Sequence, residues 1–206
     1  MHRKVKPNLL DSANVISENA AEESSADVLA ILFGSKARAV AVRFFLIDPK
    51  RAYYQRQVES ATGLPIRAVQ RELERLSEIG LLYRRAEGNR TYYQVDSQYP
   101  LFSDLRHLVL KTSSPVERLR GILAGEEDVR QAFLDGDSNE VLVVTTSGRR
   151  PTIGIPEGFR IVAVGADDFL QGVQRRSPDF DRFLVHGVDL LGRREDVMWA
   201  RIEAAG

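Results

Sequence analysis

The sequence predicts an α+β protein in two parts: a helical N-terminal part that ends in a β-hairpin, and a small C-terminal α/β part. Apolar residues recur at three- and four-residue spacing between Ile66 and Ile79, which is typical of an amphipathic helix. Two β-rich segments flank Gly88-Asn89, as in a hairpin. After residue 116, strand-like runs such as EVLVVTT alternate with helix-like runs.

Composition narrows the classes of protein to consider. The chain has 206 residues, of which 43% are hydrophobic and 28% charged, enough for one large domain or two small ones. It has no cysteine, which excludes disulfides and thiolate metal sites, and its three histidines are widely separated. No apolar run approaches the roughly 18 residues of a membrane span, and the first residues do not resemble a signal peptide. We therefore expect a cytoplasmic protein with no membrane partner, no metal site and no cofactor.

The domain limits follow from changes in composition. Residues 1–25 are small, polar and acidic, so we expect a flexible arm there. The TSSPVE stretch at Thr112–Glu117 is the best candidate linker. It separates an expected first domain over 26–112 from a second over 116–206.

Charge is distributed unevenly between the two parts, although the net charge of the chain is zero. Residues 35–95 contain twelve Lys/Arg and six Asp/Glu, a net charge of +6. Residues 113–206 contain twelve and sixteen, a net charge of −4. This asymmetry indicates separate roles for the basic and the acidic part.

The N-terminal elements can be placed in order. Apolar residues from Val28 to Ile47 predict a buried helix that ends before Asp48-Pro49, because a residue ahead of proline is displaced from helical geometry. A short helix is expected over Tyr54–Thr62, followed by a turn at Gly63-Leu64, where glycine can adopt positive φ.

A second helix follows, with Pro65 expected at its first position and Gly80 as its C-cap. Its apolar stripe consists of Ile66, Val69, Leu73, Leu76 and Ile79. The opposite face carries Arg67, Gln70, Arg71, Glu74 and Arg75. The hairpin beyond it adds basic and amide side chains at Arg84, Arg85, Asn89 and Arg90, beside Tyr83, Tyr92 and Tyr93.

This order of elements suits DNA recognition. A helix fits the major groove, where arginine can bond bidentately to guanine and glutamine to adenine. A basic, aromatic hairpin beside such a helix suits the phosphate backbone or the minor groove. A charged helix face alone is usually only solvated, but the ordered combination with the local +6 charge favours DNA binding. The predicted DNA-binding residues are Arg67, Gln70, Arg71, Arg75, Arg84, Arg85, Asn89 and Arg90.

The segment from Leu32 to Thr112 resembles the ArsR-like winged helix-turn-helix regulators, in the branch whose winged helix precedes a nucleotidyltransferase-like domain. The resembling elements are LFGSKAR, ATGLPIRAVQRELERLSEIGLL, EGNRTYYQV and YPLFSDLRHLVLKT, in the family's order. The resemblance implies that Pro65–Ile79 is a recognition helix. It departs from the family at Leu64-Pro65, where many members carry Ser or Thr, so the resemblance does not imply a cap hydroxyl contact here.

The helix after the hairpin is a candidate dimerisation element. Leu101, Leu105, Leu108 and Val109 recur at helical spacing, and such a helix often pairs across a two-fold axis in winged-helix regulators. A homodimer would contact two half-sites about 34 Å apart or a multiple of that distance. The alternative is that these residues only cover the core of their own domain.

In the second part, the sequence predicts strands over Glu140–Thr146 and Phe159–Gly165 and helices from Asp167 and across Pro178–His186. A short VDLLG segment and a terminal helix over 195–204 complete it.

The second part resembles a nucleotidyltransferase without its metal site. Related enzymes hold Mg²⁺ with paired aspartates that follow a Gly-Ser turn, because the metal neutralises charge on the nucleotide phosphates. Here only Glu140 stands at one of the paired positions, with Ser138 at the other. Asp135, Asp137 and Glu140 can gather in another geometry, but a solvated turn is the more common outcome. We therefore expect no catalysis.

Three functional hypotheses remain open. The first is a DNA-binding transcriptional regulator whose second domain serves assembly, partner binding or sensing. The second is a nucleotidyltransferase with a non-standard metal site. The third is an antitoxin-like autoregulator whose acidic half binds a protein partner.

Overall fold

The computed structural model describes residues 28–151 and 154–193. These residues form a mixed α and β structure with two small sheets, so the predicted α+β class is confirmed. The chain divides into two compact units, the first ending at Arg118 and the second beginning at Leu119. The expected N-terminal arm and the expected terminal helix lie outside the described residues.

The first unit is built from helices and one hairpin. Residues 28–33 are helical. The elements that follow are α1 (Lys36–Ile47), β1 (Tyr53–Tyr54), α2 (Gln55–Thr62), α3 (Ile66–Glu78), β2 (Leu82–Glu87), β3 (Arg90–Val95) and α4 (Phe102–Lys111). Helix α5 (Pro115–Gly125) contains the division between the units, so half of the expected linker is helical.

The prediction of one continuous helix from Val28 to Ile47 is wrong. Gly34 has a φ of 65°, which breaks the helix, and α1 begins anew after it. The side-chain oxygen of Ser35 caps α1 by accepting a hydrogen bond from the Arg38 amide at 3.3 Å. The predicted end before Asp48-Pro49 is confirmed, since α1 ends at Ile47.

Helices α2 and α3 are joined by the predicted tight turn. Gly63 has a φ of 66°, and its N–H donates to the Glu59 carbonyl at 2.9 Å, which ends α2. Pro65 is the N-cap of α3 and not its first helical residue, because its ψ of 140° is extended. The expected C-cap also shifts by one residue: Ile79 occupies it, and Gly80 follows with positive φ.

The hairpin strands β2 and β3, together with β1, form a three-stranded antiparallel sheet in the order β1-β3-β2. Strands β2 and β3 pair from Leu82 opposite Val95 to Glu87 opposite Arg90, around the predicted Gly88-Asn89 turn. Leu82 and Val95 are buried at the base, while residues 83–90 are exposed. The hairpin therefore projects from the core of its unit.

The second unit has a four-stranded sheet in the order β6-β5-β4-β7, in which β5 and β6 are parallel and the other pairs antiparallel. Its elements are β4 (Val129–Leu134), β5 (Glu140–Thr145), β6 (Arg160–Gly165), α6 (Ala166–Gln174), α7 (Pro178–Asp181), a π-helical turn (Arg182–His186) and β7 (Val188–Asp189).

Two features of this unit differ from the prediction. Strand β4 was not predicted, and it pairs with both β5 and β7. The predicted helix across Pro178–His186 changes to a wider π-helical turn at Arg182. All of β5 is buried, as its continuous apolar run predicted. The core cluster consists of Phe133, Leu142, Val144, Phe169, Val173, Phe183 and Leu184.

Candidate nucleic-acid interface

Helix α3 has a buried face and a basic exposed face. Val69, Leu73 and Leu76 are at most 3% exposed, and they attach the helix to the core of the first unit. The predicted stripe is wrong at its end, because Ile79 is 56% exposed at the C-cap. The predicted outer residues are all exposed: Arg67, Gln70, Arg71, Glu74 and Arg75.

A buried carboxylate lies beneath this basic face. Glu72 is fully buried, and its carboxylate lies 3.2 Å from Arg38 Nε, 3.3 Å from Arg75 Nη1 and 3.5 Å from Arg71 Nε. Burying a carboxylate is unfavourable unless cations or donors pair with it, and three guanidinium groups do so here. Two of the predicted DNA-binding residues are thus held by an acidic residue of their own helix.

Sequence reasoning missed Glu72 and Arg38, although the spacing indicated Glu72. Residue 72 lies three positions after Val69 and four before Leu76, which places it on the apolar side of α3. An acidic residue at such a position needs a buried cation. Arg38 supplies one from α1, and it also donates from Nη1 to the Phe33 carbonyl at 3.1 Å.

The basic residues of the hairpin are exposed but do not share one face. Arg84 lies opposite Tyr93 and Arg85 opposite Tyr92. Successive strand residues point to opposite sides of a sheet, so these two arginines project in opposite directions. Arg84 shares its face with the buried Leu82. The basic residues predicted on the hairpin are therefore divided between its two faces.

The outer face of the hairpin carries paired arginines. Arg85 forms an exposed ion pair with Glu87 at 3.0 Å, and such exposed pairs are weak. The Arg90 guanidinium lies over the Tyr54 ring, 4.5 Å from its centroid, and the Tyr54 and Tyr92 rings are 5.7 Å apart in an edge-on arrangement. Aromatic contacts thus order Arg90 near the hairpin tip.

An open cleft of about 690 Å³ lies between the hairpin and the starts of α2 and α3. It is lined by Tyr54, Gln55, Arg56, Ile66, Asn89, Arg90, Thr91 and Tyr93. The lining contains two arginines, polar side chains and the start of α2, a set of groups that suits a sugar-phosphate backbone. Arg56 was not predicted, because its position at the start of a short helix carries no distinctive pattern.

Within residues 28–151 and 154–193, the side chains of Arg67, Gln70 and Arg84 have no hydrogen-bond or ion-pair partner. The three side chains are exposed. Their donors are thus available to an external acceptor, as phosphate or base recognition requires.

The acidic residues of the second unit are engaged by arginines. Glu140 is 10% exposed and lies 2.7 Å from Arg160 Nη2 and 2.5 Å from Arg182 Nη2. Arg182 Nη1 also lies 3.3 Å from Asp135. Hydrogen bonds from Ser138 and the Asp137 amide, with the nearby Arg182, lower the pKa of Asp135 below its usual range. These carboxylates already have guanidinium counter-charges.

Among the described residues, no group of three or more His, Cys, Asp or Glu is placed to hold a metal ion. Asp135, Asp137 and Glu140 do not gather into such a group. Nor does any helix within these residues have the length and apolar character needed to cross a membrane. No family model, no curated protein and no solved structure matches the chain.

Proposed function

We propose that this protein is a sequence-specific DNA-binding transcriptional regulator, in which residues 26–112 form a winged helix. The observation that carries the proposal is helix α3, whose buried apolar face leaves Arg67, Gln70, Arg71 and Arg75 exposed on the opposite side. The projecting basic hairpin beside it supports the same proposal. A helix of this kind can enter the major groove while the hairpin contacts the backbone or the minor groove.

The residues divide into two proposed roles. Those of α3 contact base edges and adjacent phosphates, because a recognition helix carries the side chains that reach into the groove. Arg84, Arg85, Asn89 and Arg90 contact the backbone or the minor groove. Since Arg84 and Arg85 point in opposite directions, we propose that one of the two contributes much more than the other.

The experiment that tests the function is selection of bound fragments from random double-stranded DNA, followed by affinity measurements at several salt concentrations. A regulator selects a consensus sequence, and its affinity falls steeply with salt because bound phosphates release counterions. Enrichment of no sequence, together with affinity independent of salt, would reject the proposal.

Two variants separate the proposed roles. Arg71→Ala is expected to lose about 1–3 kcal/mol, roughly 5- to 150-fold in affinity, on the selected site and to relax the preference at one position. Arg85→Ala is expected to weaken binding to all sequences alike and to reduce the salt slope by about one. Parental binding by both variants would show that neither arginine contacts DNA.

We also propose that the chain acts as a homodimer. Within the described part of the first unit, Ile31 and Leu32 are 80% and 60% exposed, and exposed apolar groups mark contact surfaces. A two-fold dimer predicts a palindromic consensus. Analytical ultracentrifugation gives the mass directly, and a monomer at micromolar concentration with a non-palindromic consensus would refute the dimer.

The second unit is proposed to serve assembly, partner binding or sensing, without catalysis. The sequence resemblance places Glu140 at the position of a metal-binding carboxylate. Its carboxylate forms ion pairs with Arg160 and Arg182. Arginines in these positions oppose binding of a divalent cation by charge repulsion. Calorimetry with Mg²⁺ and a nucleoside triphosphate tests this, and saturable binding would favour the nucleotidyltransferase alternative. Co-purification of a defined protein with the acidic unit would favour the antitoxin-like alternative.

A further inference from the structure

The buried Glu72 determines which nitrogen atoms the arginines of α3 can offer to a ligand. Arginine has five N–H donors, arranged so that two parallel donors can bond two acceptors at once. Arg75 contacts Glu72 through Nη1, one of its two terminal nitrogens. Arg71 approaches Glu72 with Nε instead, in an ion pair at 3.5 Å that is not a hydrogen bond. Neither terminal nitrogen of Arg71 forms a hydrogen bond among the described residues.

This difference separates two side chains that look equivalent in the sequence. Both are about half exposed, at 56% for Arg71 and 49% for Arg75. Of these two, only Arg71 has both Nη1 and Nη2 free of a hydrogen bond. A guanine presents two acceptors, N7 and O6, in the major groove, and this pair of donors matches them.

The ion pair with Glu72 also restrains Arg71 before any ligand binds. Glu72 is fully buried and is held from a second direction by Arg38 of α1, so the carboxylate has little freedom to move. An arginine held by an ion pair to a buried carboxylate loses less side-chain entropy on binding than a free one. A restrained Arg71 guanidinium favours discrimination between bases, because it cannot easily reorient to bond an acceptor on a different base.

We propose that Glu72 is a positioning residue that holds Arg71 with its terminal nitrogens free, and that Arg71 so held recognises a guanine in the DNA site. The inference rests on the proposed DNA-binding function. It adds a recognised base and a residue that itself makes no contact with DNA.

The test compares Glu72→Gln with Glu87→Gln. Both substitutions remove one negative charge from the proposed interface, but Glu87 is exposed and pairs with Arg85 on the hairpin. Affinity is measured for the selected site and for the same site with the guanine replaced. In Glu72→Gln we expect guanine discrimination to fall by about fivefold or more, while affinity for random DNA stays equal or rises. In Glu87→Gln discrimination is expected to stay at the parental value.

Two further variants keep the inference testable. Arg71→Lys keeps the charge but lacks the paired donors, so it is expected to lose the same guanine preference. If thermal unfolding shows that Glu72→Gln does not fold, Glu72→Asp replaces it, since the shorter side chain keeps the charge and moves away from Arg71. Parental discrimination in the folded Glu72 variant or in Arg71→Lys would overturn the inference.

The outcomes for the two proposals are distinguishable. A parent protein that prefers a guanine-containing site, with a Glu72 variant that keeps this preference, overturns only the positioning role. A parent without any sequence preference overturns both the proposed function and this inference. Loss of discrimination in both Glu72→Gln and Glu87→Gln would indicate a general charge effect and also overturn the positioning role.

Discussion

Truncation of Leu73 tests whether α3 is attached through the buried face described above. Leu73 is 1% exposed in the middle of α3, and Ile79 is 56% exposed at the end of the same helix. The apolar spacing in the sequence treats the two residues alike, whereas the structure separates them. We therefore expect Leu73→Ala to destabilise the protein far more than Ile79→Ala.

The expected cost can be worked out from burial. Leu→Ala removes about three methylene equivalents, worth roughly 2.4 kcal/mol at about 0.8 kcal/mol each when fully buried. Incomplete collapse of the cavity adds to this, so the free energy of unfolding should fall by about 2.5–4 kcal/mol. The better helix propensity of alanine returns only about 0.2 kcal/mol. Since Ile79 is already half exposed, Ile79→Ala should cost less than about 1 kcal/mol.

Thermal unfolding followed by circular dichroism measures the difference. For a chain of this size, 1 kcal/mol shifts Tm by roughly 2–4 °C, so Leu73→Ala should lower Tm by about 5–15 °C. Well below its Tm, Leu73→Ala should remain folded. Equal Tm values for the two variants would refute the packing of α3 deduced from the structure.

Three further predictions concern other parts of the molecule. A Cβ at Gly187 would lie 2.4 Å from the Phe183 carbonyl oxygen. Gly187→Ala should therefore lower the free energy of unfolding, measured with urea, by about 1–3 kcal/mol. Gly136→Ala is the control, because the space around Gly136 is open and no such loss is expected. Gly63→Ala should cost about 1–2 kcal/mol in the same assay because of the positive φ. Because the pKa of Asp135 is lowered in the folded state, its ionised carboxylate stabilises the fold at every pH above the ordinary aspartate pKa of about 3.9. This stabilisation is lost as the pH falls through the lowered pKa. NMR titration should show Ser138→Ala raising that pKa, and an unchanged value would contradict the assigned hydrogen bond.

Local patterns in the sequence predicted most of the first unit. The spacing of Val69, Leu73 and Leu76 indicated the buried face of α3, and Gly88-Asn89 indicated the hairpin turn. These features depend on neighbouring residues, so local propensity and periodicity are sufficient to find them. The exposed face of α3 was predictable for the same reason, because it lies opposite the apolar stripe.

The remaining features depend on contacts that are distant in the sequence. Burial of Glu72 requires Arg38, which lies 34 positions earlier. Strand β4 was missed because its pairing with β5 and β7 is tertiary, and its apolar residues fit a turn approach equally well. The opposite orientations of Arg84 and Arg85 follow from the two-residue period of a strand, which is a local property of the sequence.

The number of residues in the π-helical turn at Arg182–His186 determines which residues of β7 lie on each face of the sheet. A π turn accommodates one residue more than an α turn, and this extra residue shifts the phase of every side chain after it. Because strand residues alternate between faces, a one-residue deletion that shifts β7 by one position would bring Asp189 to the place of Val188 and Leu190 to the place of Asp189. Deletions of a single residue here should therefore be far less tolerated than substitutions at exposed positions such as Val185.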